Sequence, residues 1–255
     1  MKTRELPILE YPGDGPGVIE PIKVRRRRRG FPDRFVLCFF LDAVTRFAEE
    51  LGLEPISKLP GEGYPTQVYE LADPPTGFCF PGIGAPFSAA VLEEIIALGA
   101  QKIICCGGAG ALTPDLEAGA IVVPTEAVRD EGTSYHYQRR GRCSRPHPAA
   151  LQAIHETLEE AGVGYRDGRT WTTDAVYRET PQKVAARREE GCLCVEMEAA
   201  ALFAVARFRG IALGQILYGG DDVSGEQWDH RNWINLHSVR ERLLQLAIDA
   251  CRKIP

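Results

Sequence analysis

The chain has 255 residues, 44% apolar and 25% charged, which suits one large α/β domain or two small ones. Its net charge of −5 has the wrong sign for neutralising a nucleic-acid backbone, and no apolar run approaches the roughly eighteen residues of a bilayer span. Met1-Lys2-Thr3-Arg4-Glu5-Leu6-Pro7 lacks the apolar stretch of a signal peptide, so no membrane or nucleic-acid partner and a cytoplasmic location are expected.

Residues 1–30 are rich in proline and glycine and end in Arg25-Arg26-Arg27-Arg28-Arg29, which reads as an irregular arm, solvated or touching a neighbouring subunit. From there regular elements alternate. The apolar run 35–41 predicts a strand, and Asp42 caps a helix through about Leu51 that Gly52 ends. Residues 77–83 read as a strand, and Pro86 opens a helix to Leu98. Lys102-Ile103-Ile104-Cys105-Cys106 is a buried strand running into the turn Gly107-Gly108-Ala109-Gly110, and 120–128 is another strand. The rhythm repeats with a helix over 148–162, a strand over 168–173, a helix over 181–190 and a strand over 192–196. A helix over 197–208, a strand over 212–218 and a helix over about 233–252 complete it. Such alternation predicts a largely parallel sheet covered on both faces, one domain over 31–255. Six of the eight cysteines lie in apolar strand-like runs without histidine at metal-ligand spacing, so reduced structural thiols and no metal site are expected.

In α/β sheets ligands gather outside the carboxyl ends of strands, and three ends carry polar or flexible residues. At Gly107 and Gly108 the backbone can approach a ligand and offer amides to an anion, or form a bare tight turn. At Glu196-Met197-Glu198 two carboxylates facing one side suit the 2′- and 3′-hydroxyls of a ribose. At Gly219-Gly220-Asp221-Asp222 an acid behind a buried strand is either a general acid or a helix cap. Asp222, Glu226, Asp229 and His230 form an acidic loop with Trp228 and Trp233, a conceivable lid.

These motifs in this order resemble the purine nucleoside and uridine phosphorylase family. The likeness rests on Gly82-Ile83-Gly84 with Pro86 and Ser88, on 102–112, 119–123 and 128–134, and most specifically on Val195-Glu196-Met197-Glu198-Ala199. The resemblance implies a three-layer α/β/α fold with a mixed, mostly parallel sheet, and a homo-oligomer (dimer, trimer or hexamer). It implies cleavage of a nucleoside's N-glycosidic bond with inorganic phosphate as co-substrate and no other cofactor. Carried over, Glu198 with Glu196 binds the ribose, Met197 packs on the sugar, Gly107 and Gly108 line the nucleoside site, and Trp171 stacks under the base or packs in the core. Asp221 protonates the leaving base. His136, on a loop, is a candidate for the sugar 5′-hydroxyl or an ordinary surface residue.

The departures fall at the phosphate site. The family's first strand ends in Gly-Asp-Pro with an arginine two residues on; here stand Phe39-Phe40-Leu41-Asp42. Its arginine before the glycine turn is Cys105, and its hydroxyl residue within the turn is Gly108. Gly84 and Arg129 are the remaining candidate phosphate ligands, with Arg46 or an arm arginine as substitutes. Three readings follow: a phosphorylase with relocated phosphate ligands, a phosphate-independent nucleosidase in which Asp42 loosely matches the water-activating acid, or an inactive nucleoside-binding protein.

Overall fold

A computed structural model describes residues 6–59 and 65–255; residues 1–5, the start of the expected arm and of the stretch examined for a signal peptide, lie outside the described residues. The central strand β5 (Lys102–Ala111) pairs in parallel with β1 (Arg34–Cys38) on one side and β10 (Ala212–Asp222) on the other. Beyond β1 the sheet continues through β4 (Thr76–Cys79), β3 (Thr66–Leu71) and β2 (Ser57–Leu59). Beyond β10 it continues through β6 (Ile121–Asp130), β8 (Tyr165–Thr173) and β9 (Cys192–Glu196), with β7 (Cys143–Ser144) beside β6. The long pairings β5–β10 and β6–β8 are parallel, while β2, β3 and β7 pair antiparallel.

Alternation along the strands divides the core. Val36, Cys38, Ile104, Cys106 and Ile216 point to one face, under α2 (Leu41–Glu50), α4 (Pro148–Glu160) and α7 (His237–Lys253). Phe35, Leu37, Ile103, Cys105 and Leu213 point to the other, under α3 (Ala85–Leu98) and α6 (Ala199–Arg209). The sheet is therefore a mixed one covered on both faces, the layered α/β/α arrangement expected.

Two strands run further than the sequence suggests. The glycine run is not a turn: β5 carries through it, with Gly107 opposite Leu217 and Gly108 opposite Tyr218, and its last residues pair antiparallel with β9 through Gly110 and Val195. Likewise Gly219-Gly220-Asp221-Asp222 stays in β10. Residues without side chains let β5 leave β1 and reach β9, which closes β5, β10, β6, β8 and β9 into a ring. A side chain at Gly219 would meet the Glu117 carbonyl at 2.8 Å.

The described part of the arm lies on the domain. Its short helix α1 (Pro21–Val24) rests near α3, where Arg25 Nε donates to Glu94 Oε2 at 2.6 Å, and Arg209 bridges Glu20 and Glu93. No helix among the described residues is long and apolar enough to cross a membrane.

Candidate active site

The carboxyl ends of β1, β5, β9 and β10 converge on a cavity of about 1120 Å³. Its walls come from Phe39–Asp42 after β1, Gly108–Gly110 on β5, Val195–Glu198 after β9 and Tyr218, Gly220 and Asp221 on β10. Phe80, Ile83, Val176 and Glu179 close one side, and Trp233, His237 and Arg240 another.

Glu198 is at the N-cap position of α6, where φ −136° and ψ −35° turn the chain out of β9. Its side chain is buried, and among the described residues its two oxygens meet amides alone: Gly84 N–H donates to Oε1 at 2.6 Å and Met197 N–H to Oε2 at 3.3 Å. The Gly84 amide reaches it because Gly84 takes φ +91°, a conformation that disfavours a side chain. Burial first, then the Glu196 charge, pushes the Glu198 carboxyl up to about 8, against those two hydrogen bonds. Two acceptor atoms on a cavity wall, each with lone pairs to spare, can take two hydroxyl protons from a sugar.

Glu196 behaves oppositely. Its Oε2 accepts the Glu198 and Ala199 amides at 2.7 and 2.6 Å, and its Oε1 accepts the Thr172 and Thr170 hydroxyls at 2.6 and 3.3 Å. Four donors from its own chain saturate it, so the nucleoside-binding role expected of Glu196 is corrected: it ties α6 to β8. The turn at Met197 also breaks the extended geometry that would have put both carboxylates on one side. Met197 lies on the cavity wall beside Glu198, half-buried.

At the β10 end, Asp221 lines the cavity with its Oδ1 over Gly110, and a side chain at Gly110 would come within 3.5 Å of that oxygen. The Trp228 indole N–H donates to Asp221 Oδ2 at 2.6 Å, and Asp222 is held separately by Arg231 and a bridge to Asp229. Glu179, which the sequence reading missed, lines the same end. Burial first, then the Asp221 charge, raises its carboxyl to about 7, with Lys183 opposing. The available signal was position, since Glu179 lies in the connection that leaves the carboxyl end of β8.

The β1 end is apolar where a phosphate cradle was sought, because Phe39, Phe40 and Leu41 stand there. Behind them Asp42 gathers three cationic or basic groups: Arg240 Nη1 at 3.1 Å, His237 Nδ1 at 3.1 Å and Arg46 Nη2 at 3.3 Å. Burial works to raise the Asp42 carboxyl, but the His237 hydrogen bond and the Arg240 charge prevail and hold it below the ordinary value. The Arg240 guanidinium lies over the rings of Phe40 and Trp233. Arg240 was legible in principle: with Leu236, Leu243, Leu244 and Ala247 it occupies the apolar stripe of α7, where a charge signals a buried partner.

Four further expectations are corrected. Trp171 is fully buried among Leu112, Val128 and Val195, with its indole N–H donated to Asp130 Oδ2 at 3.0 Å, so it is core and not a platform for a base; Val176 is on the wall instead. Arg129 is buried and donates to Ser134 Oγ and to the carbonyls of Gln138, Arg139 and Gly141, which pins its own loop and leaves no fork for phosphate. The Gly84 amide is committed to Glu198. Gly107 is covered by Phe39 and Leu217, whereas Gly108 does reach the cavity, beside the Tyr218 ring. His136 is exposed and lines a groove beneath the arm, outside this cavity.

Residues 33–252 match the family described as the phosphorylase superfamily. A guanosine phosphorylase of Halorubrum lacusprofundi is 35% identical over 150 residues, 58% of this chain and 62% of that protein, so the match spans less than two thirds of it. A uridine phosphorylase of Treponema pallidum is 32% identical over 203 residues, 74% of this chain and 77% of that protein. Among solved structures, the uridine phosphorylase of Vibrio fischeri superposes with a TM-score of 0.73 at 27% identity, covering 89% of this chain and 93% of the other. An AMP nucleosidase of Bacteroides thetaiotaomicron shares the fold, with a TM-score of 0.73 at 24% identity over 91% of this chain and 92% of the other.

Proposed function

The chain belongs to the phosphorylase superfamily, and from that premise we propose that it cleaves the N-glycosidic bond of a nucleoside, with the sugar at Glu198 and the base at Asp221. The observation that carries this reading is the placement of Glu198 and Asp221 on one cavity wall system, with the carboxyl oxygens of Glu198 already oriented by two amides. Glu198 hydrogen-bonds the ribose hydroxyls and, in its ionised form, stabilises positive charge building on the sugar. As the C1′–N bond breaks, its electron pair passes to the base, and Asp221 supplies a proton there. A positioned acid of this kind contributes about 10²–10⁴-fold to rate.

Phosphate is the nucleophile in the first reading, after the guanosine and uridine phosphorylases that the chain is similar to. An oxygen of phosphate attacks C1′ and leaves with the sugar as a pentose 1-phosphate. Arg46 and Arg240, the arginines on the cavity wall, are the residues proposed to meet it. A second reading, hydrolysis by water, is favoured by the phenylalanines after β1 and by the commitment of Gly84 and Arg129 elsewhere. Release of free base from a panel of purine and pyrimidine nucleosides, with and without inorganic phosphate, separates them. Phosphorolysis requires release only with phosphate and pentose 1-phosphate as product. Equal release in phosphate-free buffer establishes water, and no release from any nucleoside refutes both. The residues grouped here suit a small-molecule nucleoside partner; a homo-oligomer and a cytoplasmic location remain part of the proposal, tested by light scattering and by fractionation.

A further inference from the structure

Glu179 has no part in the scheme above, yet it shares the base end of the cavity with Asp221. The two carboxyls come from different elements: Asp221 from β10, Glu179 from the residue capping a short helical turn over Val176–Arg178. They are not equivalent. Asp221 Oδ2 is occupied by the Trp228 indole, which leaves Oδ1 toward the cavity over Gly110. Among the described residues no hydrogen bond to the Glu179 side chain is found, although it is largely covered, so its oxygens are available to a ligand.

The atoms that a purine presents beside its N7 differ by base. A 6-aminopurine offers an acceptor, N7, next to a donor, the amino group; a 6-oxopurine offers two acceptors, N7 and O6. A carboxylate facing the 6-position accepts from an amino group and repels an oxo group, which complements the first pattern and clashes with the second. This rests on the proposed reading of the cavity as a nucleoside site. We propose that Glu179 is the specificity-determining partner of Asp221: beside Asp221 at N7, Glu179 as carboxylate accepts from the 6-amino group, and the site therefore prefers 6-aminopurine nucleosides.

The charges around Glu179 set when it can accept. The charged groups acting on Glu179 are Asp221 from β10 and Lys183 from α5 (Pro181–Glu189), the latter paired with Asp130 at 3.0 Å. Burial and the Asp221 charge bring the Glu179 carboxyl to about 7, so Glu179 itself changes from donor to acceptor across neutral pH. Below that range Glu179 is protonated and becomes a donor, the complement of O6. Above it Glu179 is an acceptor, the complement of an amino group. Preference for the aminopurine must therefore grow with rising pH.

The test is equilibrium binding of adenosine, inosine and guanosine by calorimetry at several pH values, in the wild type, Glu179→Gln and Glu179→Ala. The wild type is expected to bind adenosine about tenfold or more tightly than inosine at slightly alkaline pH, with the ratio shrinking as pH falls. Glu179→Gln, whose amide both donates and accepts and cannot titrate, is expected to bring the ratio within about threefold and flatten its pH dependence. Glu179→Ala guards against a rearranged glutamine and is expected to lose the same discrimination. Inosine or guanosine binding as tightly as adenosine overturns the proposal, as does an unchanged ratio in both variants or binding of neither purine class. Base release is read separately. Selective binding without release sinks the cleavage reading alone, and release without aminopurine preference sinks this inference alone.

Discussion

The two ends of the cavity are built on opposite principles. At the β9–β10 end, acids are exposed to the cavity with few partners: Glu198 meets two amides, Asp221 one indole N–H. At the β1–α7 end, charges are gathered in similar number but already cancel, with Arg46, His237 and Arg240 around Asp42 and a further Arg46–Glu241 pair at 3.0 Å. An acid left short of partners is ready for hydroxyls or a base. A cluster that satisfies itself offers an incoming anion little unless that anion competes with Asp42. The chemistry of the sugar and the base is thus written into the cavity more fully than the chemistry of the nucleophile.

The largest expected effect that would break this comparison is at Asp221. Asp221→Asn is expected to lower kcat by about 10²–10⁴-fold with KM little changed; a loss confined to KM would make Asp221 a binding group only. Glu198→Ala comes next, weakening nucleoside binding by about 100-fold through two lost hydrogen bonds, as read by calorimetry. Unchanged affinity would refute the sugar contact.

Glu196→Ala sharpens the contrast between neighbouring acids. It leaves two buried amides and the Thr172 hydroxyl without their acceptor, while Thr170 keeps the Cys194 carbonyl, and a loss of about 3 kcal/mol or more in unfolding free energy is expected. Denaturant unfolding reads it, and a stable variant with impaired nucleoside binding would restore Glu196 to the ligand site. Acidity supplies a fourth test. The Glu198 carboxyl lies near 8 in the fold against an ordinary 4.5, so the folded chain retains a proton there that the unfolded chain loses. The stability this lends is fully present below 4.5 and is lost as pH rises through about 8. Thermal melts should therefore show Glu198→Gln gaining on the wild type from about pH 4.5 to about pH 8 and running parallel above it; parallel curves throughout would contradict the assigned burial. The smallest effect is at Arg46, half-exposed and paired. Arg46→Ala is expected to raise the KM for phosphate by about fivefold or less and to leave the nucleoside KM unchanged, so an effect on nucleoside alone would move the anion site elsewhere.

Much of this is legible in the sequence. The alternation of apolar runs with capped helices gives the layered fold because strand and helix periodicities are local properties. Glu198 and Asp221 were legible because they follow buried strands. The misreadings share a cause: a side chain's partners are set by how the chain folds back on it. Nothing near Glu196 foretold that Thr170 and Thr172 would claim it, nor near Arg129 that the carbonyls of its own following loop would. Trp171 followed the same pattern, since Asp130, 41 positions earlier, takes its N–H. The glycines at 107–110 were read as a turn because glycine breaks isolated strands, whereas a neighbour on each side holds β5 extended. Glu179 was missed because no motif surrounds it, and only the pairing of β8 between β6 and β9 brings its connection over the cavity.

The central claim is that Glu198 grips the sugar while Asp221 faces the base. A crystal structure with an intact nucleoside, or an uncleavable analogue, bound to Asp221→Asn tests it most directly. The account predicts both ribose hydroxyls within hydrogen-bond distance of Glu198 and a ring nitrogen of the base facing residue 221. A nucleoside bound in the reverse sense, or outside this cavity with Glu198 still touching only Gly84 and Met197, would contradict it.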